Sequence, residues 1–188
     1  LLRQATAGHH ARIEALLGLG GPFDRAHYGR VLQGFGAFLQ EWEPRIARAL
    51  PASAQAWFAQ GRRAHLVRQD LQALGVPALS ADEAVVPSIG SAAQAWGSLY
   101  VLEGSALGGQ LIAQGLRRRL GIEAHNGGAY FSGCGSGTAA RWREYRQRAD
   151  EALTDRPADQ AQAADAAVRT FETLITTFRF LLDERAIA

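Results

Sequence analysis

Alternating runs of β-branched and aromatic residues, the pattern a half-buried strand needs, are nearly absent from this chain, so its core has to be built from helices. Alanine, leucine, glutamine, arginine and glutamate fill most positions, and all are good helix formers. Glycine, proline and capping residues divide the pattern. A first helix is predicted over Leu2 to Leu17, ended by Gly18, Gly20, Gly21 and Pro22. A second runs from an N-cap at Asp24 to Leu50, with Pro44 kinking it or starting a new turn. A third covers Ser53 to Leu74, closed by Gly75 and Pro77. Ala78 to Ser91 reads as loop, Ala92 to Leu120 as a fourth helix, and His125 to Gly137 as a glycine-rich stretch too irregular for a helix. Fifth and sixth helices are predicted over Thr138 to Leu153 and Ala158 to Arg185.

With 188 residues, 47% of them apolar, and no repeat or second composition zone, residues 1–188 are expected to form one all-α domain around a shared core. All 20 basic residues are arginine, yet the net charge is only +2 and no extended basic patch accompanies it. Nucleic acid is therefore not the expected partner. No stretch approaches the roughly 20 apolar residues that span a bilayer, and the single cysteine, Cys134, suits a reducing cytoplasm.

The first helix carries Arg3, His9, His10 and Glu14. His10 shares a face with Ile13, Glu14 and Leu17, on the border of the apolar stripe. Glu14, one turn on, is placed to orient a metal-bound imidazole. Arg3 stands two turns earlier, about 10 Å away by helix rise, within reach of a carboxylate on a flat dianionic ligand centred over His10. His9 neighbours Leu2, Ala5, Ile13 and Leu16, so periodicity alone does not separate the pair.

The fourth helix holds the most unusual segment. Between Gly104 and Gly109 three of six residues are glycine, inside strongly helical flanks. Each interior glycine costs about 1 kcal/mol relative to alanine, so the cluster gives up roughly 3 kcal/mol of helix stability. Two explanations fit the spacing equally: close approach of a second helix, or a kinked helix laid almost in contact with a flat ligand.

These residues, taken together, resemble a known family. Leu-Arg-x-Ala-Thr-x-x-x-His-x-x-x-Glu at Leu2 to Glu14 and Tyr-Val-Leu-Glu-Gly-Ser-x-Leu-Gly-Gly at Tyr100 to Gly109 are similar to segments of the bacterial biliverdin-producing heme oxygenases, particularly those found with bacterial phytochromes. Weaker likenesses are Phe131-Ser132-Gly133 with Ala140 to Arg143, and the segment Leu66 to Gly75 containing Arg68, Asp70 and Leu71. The resemblance implies a heme-oxygenase-like helical bundle, with heme between the first helix and a glycine-kinked distal helix. By the same likeness His10 is the iron ligand, Glu14 its neighbouring carboxylate, and Gly104, Ser105, Gly108 and Gly109 the distal surface. Arg3, Tyr100 and Arg146, with Arg143 or Arg141 as its neighbours, correspond to propionate contacts. Ser105 stands where the mammalian form of the family has an aspartate that organises water.

The implied activity is oxidative opening of heme, both cofactor and substrate, to biliverdin, carbon monoxide and ferrous iron, using dioxygen. No phosphate-cradling motif for a flavin or nucleotide is convincing, so electrons are expected from a ferredoxin or a reductase, and a phytochrome is a candidate recipient of biliverdin. The alternative is a heme carrier or sensor on the same fold. A thiaminase-like enzyme, which needs a nucleophilic cysteine on a core helix, is discounted because Cys134 lies in the glycine-rich stretch. Cys134 is read as a free thiol without a role, His27, His65 and His125 as surface groups, and Arg117 to Arg119 as a solvated helix end. Trp42, Trp57, Trp96 and Trp142 are read as mostly core, and one of Phe171, Phe178 or Phe180 as a contact at the heme edge.

Overall fold

Several helix boundaries fall where local caps dictate them. In the computed structural model, which describes residues 2–183, α1 spans Leu2–Leu17 and α2 spans Arg25–Ala49. Asp24 starts α2 by accepting the His27 backbone N–H at 2.7 Å. The His27 ring turns back and donates from Nε2 to the Leu17 carbonyl at 2.7 Å. A histidine read as a surface group thus closes the end of α1. Pro44 is carried inside α2, whose helix continues past it. The long helix α5, Ala92–Leu120, begins at Ser91, whose hydroxyl accepts the Gln94 N–H at 3.2 Å. It runs through the glycine cluster and stops at Gly121, which takes a left-handed conformation with φ 65°. α7 covers Thr138–Leu153 and α8 covers Pro157–Asp183; the proline at its first position loses no hydrogen bond there.

The helix expected over Ser53 to Leu74 is in fact two, α3 at Ala52–Gln60 and α4 at Ala64–Leu74. Glu43, buried on α2, makes the break. Its carboxylate accepts the backbone N–H groups of Arg63 at 2.5 Å and Ala64 at 2.9 Å, and Arg62 Nε at 2.9 Å. The stretch expected to be too irregular for a helix holds the one-turn helix α6, Ala129–Ser132. A second buried carboxylate starts it: Asp70 of α4 accepts the N–H groups of Ala129 and Tyr130, both at 2.8 Å. The expected loop from Ala78 to Ser91 contains a short 3-10 turn at Ala81–Glu83. Arg185, the expected end of the last helix, lies outside the described residues.

Asp70 is fully buried, and burial raises its carboxyl above the ordinary range while the two N–H donors pull it back. Removing the carboxylate strands both donors, each costing about 1–3 kcal/mol when buried and unpaired. Asp70→Ala is accordingly expected to lower unfolding free energy by about 3 kcal/mol in urea titrations. A loss under about 0.5 kcal/mol, the range of a neutral surface change, would show that α6 is held by other means.

The helices pack with α8 against both α1 and α5, α2 against α4 and α8, and α7 along α5. The tightest crossing is at Gly97. A Cβ there would stand 1.9 Å from the Ala163 carbonyl oxygen, so only glycine lets α5 and α8 meet at this separation. Trp42, Trp57 and Trp96 sit in the core among Tyr28, Phe38 and Phe178, while Trp142 is half-buried at its edge. No helix among the described residues is long and apolar enough to cross a membrane.

Candidate functional site

α1 and α5 each lie along α8, and a cavity of about 360 Å³ opens between them. That volume lies within the range of small-ligand sites. α1 contributes His10, Ile13, Glu14 and Leu17 to its lining, and α5 contributes Gly104, Ser105, Gly108 and Gly109. Phe35, Phe131 and Phe171 make most of the remaining surface apolar.

His10 is half-buried, with its ring edge-on to Phe171 at 4.6 Å and to Tyr100 at 6.2 Å. Burial lowers its pKa; Glu14 opposes this and His9 adds to it. The ring is therefore held toward the neutral form, the one that ligates metals. His9 does not line the cavity. Its ring stacks on Phe171 at 5.9 Å, and its Nδ1 is buried without a hydrogen-bond partner.

The two explanations for the glycine cluster now separate. A Cβ on Gly108 would meet nothing within 4 Å, and one on Gly104 would only touch the Trp142 ring at 3.5 Å. Neither residue admits a second helix; the close helix crossing is at Gly97. Gly109 alone of the three is constrained by the fold, since its Cβ would stand 3.1 Å from the Phe131 carbonyl oxygen. What Gly104 and Gly108 provide is bare backbone along the cavity. Ser105 lines it as well, but its hydroxyl donates back to the Leu102 carbonyl at 2.9 Å.

Behind this stretch of α5 lies a buried ionic group. Glu103 pairs with Arg63 at 3.1 Å and with Arg141 at 2.8 Å, and Arg63 also donates to the Leu102 carbonyl at 2.9 Å. Arg141 lies over the Trp57 ring at 4.4 Å, so it is committed to the interior rather than to a ligand edge. Tyr100 and Arg146 line a neighbouring groove of about 300 Å³ together with Leu2 and Trp142, not the cavity itself. Arg3 and Arg143 are exposed, and neither forms a hydrogen bond, ion pair or ring contact with another described residue. Of the three phenylalanines of α8, only Phe171 reaches the cavity; Phe178 is core and Phe180 is exposed.

Sequence reasoning did not select Phe35, Arg63 or Tyr130, all of which line the cavity. Phe35 is one of many apolar residues on α2, and Arg63 is one of 20 arginines, so neither carried a distinguishing signal. For Tyr130 the signal was an aromatic pair, Tyr130-Phe131, set one residue after Gly127-Gly128.

An apolar cavity with one neutral imidazole, bare glycine backbone along a second helix, and unpaired arginines outside fits a flat, dianionic metal complex. Comparison with known proteins points the same way. A family model described as heme oxygenase matches residues 1–180. A heme oxygenase of Xanthomonas campestris pv. campestris (strain 8004) is 32% identical over 157 residues, covering 82% of this chain and 92% of that protein. The NO- and CO-bound heme oxygenase from Neisseria meningitidis aligns with a TM-score of 0.75 over 95% of this chain and 88% of that one. Its sequence identity is 21%, so that likeness speaks for the fold alone.

Proposed function

Because the chain belongs to the heme oxygenase family, we propose that the cavity between α1 and α5 holds heme through His10, with the glycine surface of α5 on the other face. The fold is the all-α heme oxygenase fold, and the enzyme is an oxidoreductase that cleaves heme to biliverdin, carbon monoxide and ferrous iron. Heme is substrate and prosthetic group at once in this family, and its iron supplies the redox chemistry. The observation that carries the site assignment is the pairing of a cavity-facing imidazole with glycines that nothing in the fold requires.

Each cavity residue then has a task. Burial keeps His10 neutral and able to ligate, Phe171 limits the tilt of its ring, and Glu14 sets the charge beside it. Gly104 and Gly108 let backbone approach a flat ligand where a side chain would stand off. Phe35, Phe131 and Leu174 exclude water from the cavity wall. Tyr100 and Arg146, sharing the adjacent groove, are assigned to one propionate edge, and Arg3 and Arg143 supply free guanidinium groups for the same purpose. We take residues 1–188 as one domain of this kind.

Reducing equivalents come from a partner protein. The finer assignments are a ferredoxin or reductase docking near the exposed arginines, a phytochrome as recipient of biliverdin, and the cytoplasm as location. They are supported by the sequence motifs and by the single free cysteine, Cys134.

Ferric heme is expected to titrate the protein at one equivalent. Anaerobic reduction followed by air should then pass through a green species to biliverdin, identified by chromatography, which also reports the ring position opened. A Soret band that persists under these conditions would instead mark a carrier. Failure to take up one equivalent would remove the site assignment.

A further inference from the structure

Five polar side chains line the cavity: His10, Glu14, Arg63, Ser105 and Tyr130. His10 and Glu14 belong to α1. Ser105 spends its hydroxyl hydrogen on the Leu102 carbonyl, and Arg63 is drawn to that same carbonyl and to Glu103. Tyr130 differs from all of these. The residue is only 6% exposed, and its hydroxyl, which is not among the buried atoms lacking a partner, bonds to no described group of the chain, so it opens onto the cavity that Tyr130 lines. A hydroxyl that faces a cavity with its hydrogen uncommitted to the fold is free to donate to a ligand held there.

The ring is firmly placed. Asp70 holds the Tyr130 backbone N–H at 2.8 Å, and Phe35 and Phe131 pack on the ring at centroid distances of 4.9 Å each. Burial pushes the phenol pKa up, which keeps the proton on the oxygen. α6 packs on α4 and α5, which puts Tyr130 with the glycine surface of the cavity.

We infer that Tyr130 is a further catalytic residue, whose hydroxyl donates a hydrogen bond to the ligand on the open side of the heme iron. The inference rests on the His10 assignment above. It supplies a donor on the side where Ser105, the residue in the position of the mammalian aspartate, has turned its own hydroxyl away.

The test uses heme-loaded protein and fluoride, an anion that binds ferric iron and accepts hydrogen bonds strongly. Tyr130→Phe is expected to weaken fluoride binding about tenfold, the effect of one hydrogen bond to a charged acceptor. It should also raise the C–O stretching frequency of the ferrous carbon monoxide complex. In the heme-free state the thermal midpoint should hold or rise, since no bond within the chain is lost. Unchanged fluoride affinity and stretching frequency would overturn the inference. So would a heme-free variant that is destabilised or fails to fold, because the hydroxyl would then already be used by the fold. A loss of fluoride binding in Ser105→Ala with none in Tyr130→Phe would move the role to Ser105. The underlying assignment fails separately, if His10→Ala keeps the histidine-ligated spectrum.

Discussion

His10→Ala is expected to abolish turnover and to erase the absorption signature of histidine-bound ferric heme, whereas His9→Ala should leave both in place. The two residues are neighbours on one helix, share similar apolar surroundings and differ in where their rings lie. His10 lines the cavity, while His9 stacks on Phe171 outside it with a buried, unpaired Nδ1. Only the first can reach a ligand held between α1 and α5. Truncation at His10 leaves a gap the size of an imidazole ring next to Phe171, so added imidazole should restore the spectrum in His10→Ala. A structural defect would not respond. His9→Ala removes a buried nitrogen that has no partner, which limits its cost to lost packing. Absorption spectra of the two variants, with and without imidazole, are sufficient. The reverse pattern would reassign the ligand to His9 and require α1 to turn about its axis.

The same helix shows what was readable beforehand and what was not. α1, α5 and α7 begin and end where expected because their caps are local: glycine after Leu17, Ser91 before α5, Gly121 after it, and Thr154 after α7. The break between α3 and α4 and the existence of α6 depend on Glu43 and Asp70, carboxylates that reach in from other helices. No window of neighbouring residues contains that information. Periodicity brought His10, Glu14 and Leu17 to one face, and the cavity lies on that face. It could not rank His10 over His9, because both border the apolar stripe and the difference is made by where α8 lies. The glycine cluster was legible as an anomaly but not as a surface. Deciding between helix packing and ligand contact needed the positions of α8 and Trp142.

Glu103→Ala is expected to cost more stability than any other single truncation at the site, about 3–5 kcal/mol, the range for breaking a buried ion pair by removing one partner. Among the described residues Glu103 is the only carboxylate that pairs with either Arg63 or Arg141, and the side chains on both sides of each pair are largely buried, 4% exposed for Glu103 and 11% for each arginine. Removing it leaves two guanidinium groups inside the protein with Trp57, the Trp57 carbonyl and the Leu102 carbonyl as remaining partners. Two cations close together without an anion repel each other, and both are mostly shielded from water. Urea titration of the heme-free protein measures the loss. Replacing all three residues with apolar ones of similar volume, Glu103→Leu with Arg63→Met and Arg141→Met, should recover most of it, because the penalty comes from unpaired charge rather than from missing attraction. The consequence for the site is specific. Arg63 bonds the Leu102 carbonyl, the last carbonyl before Glu103 and Gly104, so the ionic group fixes the turn of α5 that carries the bare backbone. In the triple variant, recovered stability together with weakened heme uptake would show that the charges position the glycine surface. Recovery of both would show that they serve the fold alone, and a loss in Glu103→Ala below about 1 kcal/mol would show that the arginines find other partners.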